Sequence, residues 1–229
     1  MKYPQASILA CATLALCAVP LAARADDATH VGVAVTAGLS GLGADLGVNL
    51  NDHLGLRATA AGYSINRNGN YGTSVDWNGS LRLFQAGLLL DGYPFAGVFH
   101  LTAGLVHDGN SASATGRPVA GATYTFNGNT YSASEVSSAS MSVDWGKSAP
   151  YLGLGWGNLS GSSGFHFTSD LGVIFSGSPT ASVNVTCNAS ASVCTQMATD
   201  VAAEQTKLQN DVHKISAWPV LRFGIGYAF

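Results

Sequence analysis

The sequence ends in LRFGIGYAF, residues 221–229, in which every second residue carries a bulky apolar side chain. A period of two is typical of a β-strand, because successive side chains point to opposite faces. One face of this strand would carry Arg222 and small residues. The other face would carry Leu221, Phe223, Ile225, Tyr227 and Phe229. A strand with so apolar an outer face would aggregate in water, so the pattern indicates a strand that faces lipid.

The overall composition agrees with strands in a membrane. Charged residues make up 10% of the 229 residues, glycine occurs 28 times and the mean hydropathy is +0.21. Soluble domains usually carry about 25% charged residues. The net charge of −3 indicates neither nucleic acid nor a strongly anionic surface as a partner. After residue 25 no stretch approaches the roughly 18 apolar residues of a membrane-spanning helix, so strands are the predicted spanning elements.

Residues 1–25 have the features of a cleaved export signal. Lys2 supplies the positive end, residues 8–22 are largely apolar, and Ala-Arg-Ala at 23–25 matches the small-x-small cleavage site. We therefore expect a mature chain of one domain, residues 26–229.

The four cysteines divide between the signal and the mature chain. Cys11 and Cys17 raise the alternative of a lipoprotein signal, but Cys17 follows a leucine and Cys11 leaves almost no apolar core before it. Cys187 and Cys194 close a short loop, and in an oxidising compartment we expect a disulfide between them. Two thiols do not complete a zinc shell, so no metal site is predicted. No cofactor motif is recognised.

Alternating segments recur along the chain and predict eight strands. They cover residues 31–39, 41–50, 54–63, 73–91, 98–108, 140–156, 165–175 and 218–229. The apolar phase of the fourth strand changes, because Leu81 and Leu83 share one parity while Leu88 and Leu90 share the other. A β-bulge near Gln85 would reconcile the two phases.

The connections between these strands are alternately short and long. We expect short periplasmic turns at 51–53, 92–97 and 157–164, and longer external loops at 64–73, 109–138 and 176–215. The second long loop contains an Asn-Gly hairpin over 124–131, and the third contains a helix over 196–214. This asymmetry is typical of the smallest outer-membrane barrels. The predicted fold class is all-β: an eight-stranded antiparallel transmembrane β-barrel with one helix in the last extracellular loop.

The C-terminal residues also match a signal for biogenesis. Arg222, Gly224, Tyr227 and Phe229 fit the pattern polar-x-Gly-x-x-aromatic-x-aromatic by which the barrel-assembly machinery recognises its clients. We therefore expect the assembly machinery and outer-membrane lipid as partners, and the cell outer membrane as the location.

Four motifs carry a resemblance to a known family: SAPYLGLGWGN (148–158), FSGSPTASV (175–183), DVAAEQTKLQND (200–211) and WPVLRFGIGYAF (218–229). In their order and content they resemble the carbapenem-associated, ornithine-uptake porin-type outer-membrane barrels of Gram-negative bacteria. The resemblance implies a small outer-membrane barrel linked to the uptake of basic amino acids. The chain departs from those porins in its Cys187/Cys194 loop and its terminal Phe229.

Strand parity predicts a set of polar side chains in the lumen, and leaves Arg82 and Asp91 unassigned. The predicted lumen residues are Asp45, Arg57, His100, Asp170 and Arg222. Two interpretations stay open. An eight-stranded barrel is just wide enough for its own side chains to fill, so these charges would pair in a packed interior. Alternatively they line a narrow polar path, in which the aspartates attract a cation such as ornithine.

An enzyme is not predicted, and no catalytic residue is assigned. His100, His166, Ser169 and Asp170 supply the residue types of a triad, but no nucleophile elbow supports one, and His166 and Ser169 have opposite parity. The resemblance to the porin-type family favours, as the predicted function, a porin-like passive channel for small solutes such as basic amino acids. The alternative is a non-conducting structural or adhesive barrel.

Overall fold

The computed structural model describes residues 30–69, 75–119 and 121–229. The expected export signal, residues 1–25, lies outside these residues. The described chain is antiparallel β-structure with one helix. No helix in the described part is long and apolar enough to cross a bilayer.

The elements follow one another in short succession. In chain order they are β1 Val31–Gly38, β2 Gly41–Asn51, β3 Leu54–Gly69, β4 Val75–Gly92, β5 Phe99–Asp108, β6 Ser111–Pro118, β7 Thr123–Phe126, β8 Asn129–Ser132, β9 Val136–Asp144, β10 Lys147–Trp156, β11 Gly164–Ile174, β12 Thr180–Cys187, α1 Ala191–Val212 and β13 Trp218–Ala228.

Eight of these strands pair in a closed ring. The order around it is β1, β2, β3, β4, β5, β10, β11 and β13, and β13 pairs with β1 to complete the circuit. Val33 lies opposite Tyr227 at this closure. We call the end of the ring near Val31 and Ala228 the terminal end, and the opposite end the cap end.

The two faces of the ring differ sharply. Along β13, Val220, Arg222 and Ala228 are buried inside, whereas the five large residues predicted to face outward are exposed. The alternation predicted for residues 221–229 is therefore confirmed. The outer face is apolar around the ring, with Val35 70% exposed and Phe165 79% exposed.

A second sheet continues from the ring at the cap end. Strand β4 pairs with β5 over residues 85–92 and with β6 over 75–82. Strand β6 pairs with β9, and β9 pairs with β12. We call residues 64–69 of β3, residues 75–82 of β4, and β6, β9 and β12 the outer sheet.

The outer sheet corrects the predicted loops. Residues 64–69 continue β3, and the segments 109–138 and 176–195 contain β6, the start of β9, and β12. These strands alternate Ser, Thr and Ala with few bulky residues, so their period of two has little hydrophobic contrast. The predicted sixth strand, 140–156, is likewise two strands, because Trp145 and Gly146 separate β9 in the outer sheet from β10 in the ring.

The bulge predicted near Gln85 is wrong. Strand β4 pairs with β3 without a register shift from Gly92 to Trp77. Leu81 therefore shares a face with Gln85 and Leu89, which point into the ring. That face stays apolar beyond the ring because other elements pack on it there.

The packing elements are α1 and the β7–β8 hairpin, which together we call the cap. The hairpin confirms the predicted Asn-Gly turn, since both Asn127 and Gly128 have positive φ angles of 49° and 86°. Helix α1 begins at Ala191, five residues before the predicted start. The predicted disulfide is present and ties Cys187 of β12 to Cys194 of α1.

The cap has its own hydrophobic core. Met197 and Val136 are almost completely buried, and Tyr131, Val201 and Ala139 pack with them. The cap therefore covers the apolar face of the outer sheet.

One carboxylate anchors the hairpin to the helix. Asp200 accepts hydrogen bonds from Tyr131 Oη at 2.5 Å, Asn129 Nδ2 at 2.8 Å and Asn127 Nδ2 at 3.3 Å. These donors favour the charged carboxylate, the Tyr131 hydroxyl most strongly, and lower the pKa of Asp200 from 3.8 to about 2.

At the terminal end, a turn folds back into the ring. Leu159 and Ser160 are buried, and Ser160 Oγ donates to Asn49 Oδ1 at 2.9 Å. The Leu159 side chain occupies space that side chains at Gly32, Gly47 and Gly226 would otherwise fill. These inward glycines therefore form a socket for Leu159.

Replacing the socket glycine Gly226 by alanine should destabilise the ring. The added Cβ would meet Leu159 Cδ1 and would lie 2.5 Å from the Val33 carbonyl oxygen. Overpacking of this kind costs about 1–3 kcal/mol. Urea unfolding of protein refolded in detergent measures this loss of stability. Gly79→Ala is the control, because its Cβ would meet nothing closer than Arg67 O at 3.7 Å. Equal unfolding midpoints for the two variants would contradict the socket.

Acid should loosen the cap. The pKa of Asp200 is lower in the folded protein than in the unfolded chain, so its stabilisation is present above pH 4 and is lost as the pH falls towards about 2. We expect hydrogen-exchange protection of α1 and the hairpin, corrected for intrinsic exchange rates, to fall over this range. Asp200→Asn should have weaker protection at pH 6 and a flatter pH profile. An unchanged profile in this variant would show that another group is responsible.

Candidate functional site

The ring interior contains a layer of charged side chains, which we call the ion cluster. Its members are Asp45 on β2, Arg57 on β3, Asp91 on β4, His100 on β5, Asp170 on β11 and Arg222 on β13. Every one of these side chains is at most 9% exposed. The chain positions are far apart. Inward parity turns each side chain into the ring, and the strand register brings them to one level.

Arg57 lies at the centre of the ion cluster and uses all five of its N–H groups. It donates to both oxygens of Asp91, from Nε at 2.9 Å and from Nη2 at 3.0 Å. It also donates to both oxygens of Asp170, at 2.9 and 2.8 Å, and to Asp45 at 3.2 Å. The planar guanidinium suits such paired contacts, and a lysine has too few donors to replace it.

Arg222 contacts two of the same aspartates. Its Nη1 donates to Asp45 Oδ1 at 3.2 Å and to Thr59 Oγ1, and its Nη2 donates to Asp170 Oδ2 at 3.1 Å. Asp45 and Asp170 thus each bind both arginines. The Nε of Arg222 has no partner among the described residues.

His100 and Thr102 complete the ion cluster on β5. His100 Nε2 lies 3.2 Å from Asp170 Oδ1, and Thr102 Oγ1 donates to Asp91 Oδ1 at 2.6 Å. Three carboxylates face two guanidinium groups, so the ion cluster carries one excess negative charge when His100 is neutral.

Sequence reasoning found five of the six members and left the sixth, Asp91, unassigned. Asp45, Arg57, His100, Asp170 and Arg222, the five predicted lumen residues, all lie in the ion cluster. Their part in function stays a prediction. The unassigned Asp91 joins them, and regular alternation along β4 would have identified it. Arg82 is exposed outside the ring, and no sequence signal distinguished Thr59 or Thr102.

The space around the ion cluster is largely filled. Towards the cap end lie Leu89, Val106, Tyr151, Ile174 and Val220, which form an apolar layer. A cavity of about 20 Å³ remains between this layer and Arg222, which is room for a single water molecule.

The inward glycines next to the ion cluster are occupied by neighbouring side chains. His100 lies over Gly155, and the Tyr151 hydroxyl lies over Gly153 and Gly172. The glycines therefore do not provide open volume. The described conformation matches the interpretation of a packed interior.

The remaining chemical candidates do not come together. Among residues 30–69, 75–119 and 121–229, no group of three or more His, Cys, Asp or Glu is arranged to hold a metal ion. His166 Nε2 lies 2.6 Å from the carbonyl oxygen of Ser162, and Ser169 lies on the opposite face of β11. The absence of an enzyme activity stays a prediction.

Two solved structures from Acinetobacter baumannii share this fold. CarO2 aligns with a TM-score of 0.55 at 19% identity, over 89% of this chain and 100% of that chain. CarO aligns with a TM-score of 0.54 at 20% identity, over 87% of this chain and 97% of that chain. No family model matches the chain, and no curated protein matches it. The resemblance indicated by the C-terminal motifs is thus confirmed at the level of the fold.

Replacing Arg57 by methionine should destabilise the ring strongly. The variant leaves Asp45, Asp91 and Asp170 buried with one arginine between them, and breaking a buried pair in this way costs about 3–5 kcal/mol. Urea unfolding in detergent micelles measures the loss. Arg57→Lys keeps the charge but has only three donors. Its stability should therefore lie between that of the wild type and that of Arg57→Met.

The control for this series is Lys207→Met on α1, whose pair with Glu204 at 3.1 Å is solvent-exposed. Exposed pairs contribute at most about 1 kcal/mol. A loss for Arg57→Met no greater than that of the control would contradict the central role of Arg57.

Proposed function

We propose that this chain is an outer-membrane β-barrel with a porin-like role in the passage of small solutes. The observation that carries the proposal is the closed ring of eight antiparallel strands with an apolar outer face. In hydrocarbon every backbone polar group needs a partner, and a closed ring of strands provides one for each. The fold shared with CarO2 and CarO supports the same assignment.

The exposed apolar side chains support contact with lipid. Leu42, Leu105, Leu152 and Phe167 lie on different strands, and each is more than half exposed. An apolar surface that extends over so many strands would drive association in water. We call this outward apolar surface of the ring the apolar belt.

Aromatic contacts at the terminal end support an orientation. Phe99 packs against Trp156, with ring centroids 5.7 Å apart, and Tyr227 packs against both Phe165 and Phe229 at 5.1 Å. Aromatic girdles are typical of the membrane interfaces of such barrels. We assign the terminal end to the periplasmic side and the cap to the outside of the cell.

The charge of the ion cluster favours cationic solutes. Three carboxylates against two arginines leave the interior negative when His100 is neutral, and rings of carboxylates select cations in pores. Basic amino acids such as ornithine fit this charge. Because the ion cluster fills the cross-section, passage requires its side chains to move apart.

The filled interior supports a second candidate, a non-conducting structural or adhesive barrel. The cavity of about 20 Å³ beside Arg222 does not admit an amino acid. Leu159 closes the terminal end as well. In this case the ion cluster acts only as the packed centre of the barrel.

The C-terminal strand supports recognition by the barrel-assembly machinery. Tyr227 and Phe229 expose their rings on the outer face, where a partner can reach them before insertion. Arg222 and Gly224 point inward, and Gly224 lies against Thr36 and Thr168. We propose that the aromatic residues carry the recognition and that the inward pair serves the folded barrel.

Conductance of the purified protein in planar bilayers separates the two functions. For a channel we expect small cation-selective steps that ornithine or arginine reduces. Asp45→Asn should lower the cation preference, because it removes one of the three carboxylates. Asp211→Asn is the control, since that carboxylate is exposed on α1. Flotation of proteoliposomes verifies insertion beforehand.

Two outcomes would decide against the channel. Inserted protein without steps at several voltages would support the structural barrel. Steps with the same selectivity in wild type and Asp45→Asn would exclude the ion cluster as the selective element.

A further inference from the structure

The outer sheet presents a polar face that continues the apolar belt. Along β4, Leu90, Leu88 and Phe84 face outward in the ring. The same parity then gives Arg82 and Ser80, which are exposed. The outward surface therefore changes from apolar to polar between Phe84 and Arg82, two successive outward residues of β4.

The polar side chains form rows across five strands. Direct cross-strand pairing places them side by side on β3, β4, β6, β9 and β12. One row consists of Asn66, Ser80, Ser113, Ser142 and Ser182. The next row consists of Asn68, Asn78, Thr115, Ser140 and Asn184.

The composition of this face is unusual for a sheet in bulk water. Four charged residues lie on it: Asp76, Arg82, Arg117 and Asp144. Over the described parts of these strands, its other residues are all Ser, Thr or Asn. Sheets that face water usually carry lysines and other long charged side chains, which prevent edge pairing and association. We call this face the hydroxyl face.

The hydroxyl groups are available for a ligand. Among the described residues, a single side-chain hydrogen bond joins two hydroxyls of this face. It links Ser138 Oγ to Thr186 Oγ1 at 3.2 Å. The opposite face of the same sheet carries the cap, with Val183, Val185 and Trp77 packed against its core. The hydroxyl face is thus the free side of a two-layered structure.

The position of the hydroxyl face points to the headgroup zone of the membrane. Arg82 lies over the ring of Phe84, 5.7 Å from its centroid, where the apolar belt ends. Each residue advances a strand by about 3.3 Å, so Asn78 lies roughly 20 Å along β4 from Phe84. With the usual tilt of about 40° this spans some 15 Å along the membrane normal.

We propose that the hydroxyl face binds the phosphorylated sugar headgroups of the glycolipid leaflet that surrounds the barrel. The inference rests on the proposed function, because it requires the ring to lie in an outer membrane. Hydroxyl and amide groups donate and accept hydrogen bonds as sugar hydroxyls do. Arg82 supplies charge for a phosphate, whereas Arg117 lies directly opposite Asp76 on β4. Neighbouring strands lie about 4.8 Å apart, close to the width of one sugar ring.

Photocrosslinking from single positions tests the proposal. A photoreactive residue replaces Ser113 on the hydroxyl face, Leu105 in the apolar belt, or Thr206 on the exposed side of α1. The full-length protein is crosslinked in isolated outer membranes, and adducts are identified by mass spectrometry. We expect headgroup adducts of glycolipid at position 113, acyl-chain adducts at 105 and no lipid adduct at 206.

The three positions separate failure of this inference from failure of the proposed function. Acyl adducts at 105 without glycolipid at 113 would overturn the hydroxyl-face site and leave the membrane barrel intact. A protein adduct at 113 would overturn it in favour of a protein partner. Absence of lipid at both 105 and 113 would overturn the proposed membrane location as well.

A charge variant gives an independent measure. Arg82→Gln should reduce the glycolipid that copurifies with the protein about fivefold, the effect of one arginine near an anionic surface. Arg67→Gln is the matched control, because Arg67 is exposed on the opposite face of the same sheet. Equal retention in both variants would overturn the assignment of Arg82 to a headgroup phosphate.

Discussion

The structure depends on the pairing of the first strand of the ring with the last. Residues 32–38 of β1 pair with residues 222–228 of β13, and this closure gives partners to backbone groups that two sheet edges would otherwise expose. It also fixes which side chains point inward. A slip of one residue would turn Arg222 outward and Phe223 inward, so register and closure are strongly coupled.

The ion cluster is a consequence of that closure. Its six residues come from six strands. Asp170 and Arg222 are direct cross-strand partners, but Arg57 on β3 and Asp170 on β11 would be far apart in an open sheet. Arg57 pairs its five N–H groups with three carboxylates. These contacts make the layer rigid and leave few of its polar groups without a partner. The same completeness opposes conduction, because a solute must replace contacts that the protein already makes. In the proposed channel, stability and permeability would therefore compete at this layer.

The outer sheet extends the same parity beyond the ring but changes what each face meets. The inward face, which packs the barrel interior, becomes the support of the cap. The outward face exchanges large apolar residues for Ser, Thr and Asn. One strand, β4, takes part in both the ring and the outer sheet without a bulge, so the outward surface changes from apolar to polar along a single regular strand.

Features that depend on local period and spacing could be predicted from the sequence alone. These include the outward face of residues 221–229, the Asn-Gly hairpin, the disulfide, and the inward parity of Asp45, Arg57, His100, Asp170 and Arg222. Tertiary structure decided which strands pair. Strands β6, β9 and β12 have little hydrophobic contrast, so only their partners identify them as strands. The socket of Leu159 also depends on contacts between distant segments, which a period of two does not encode.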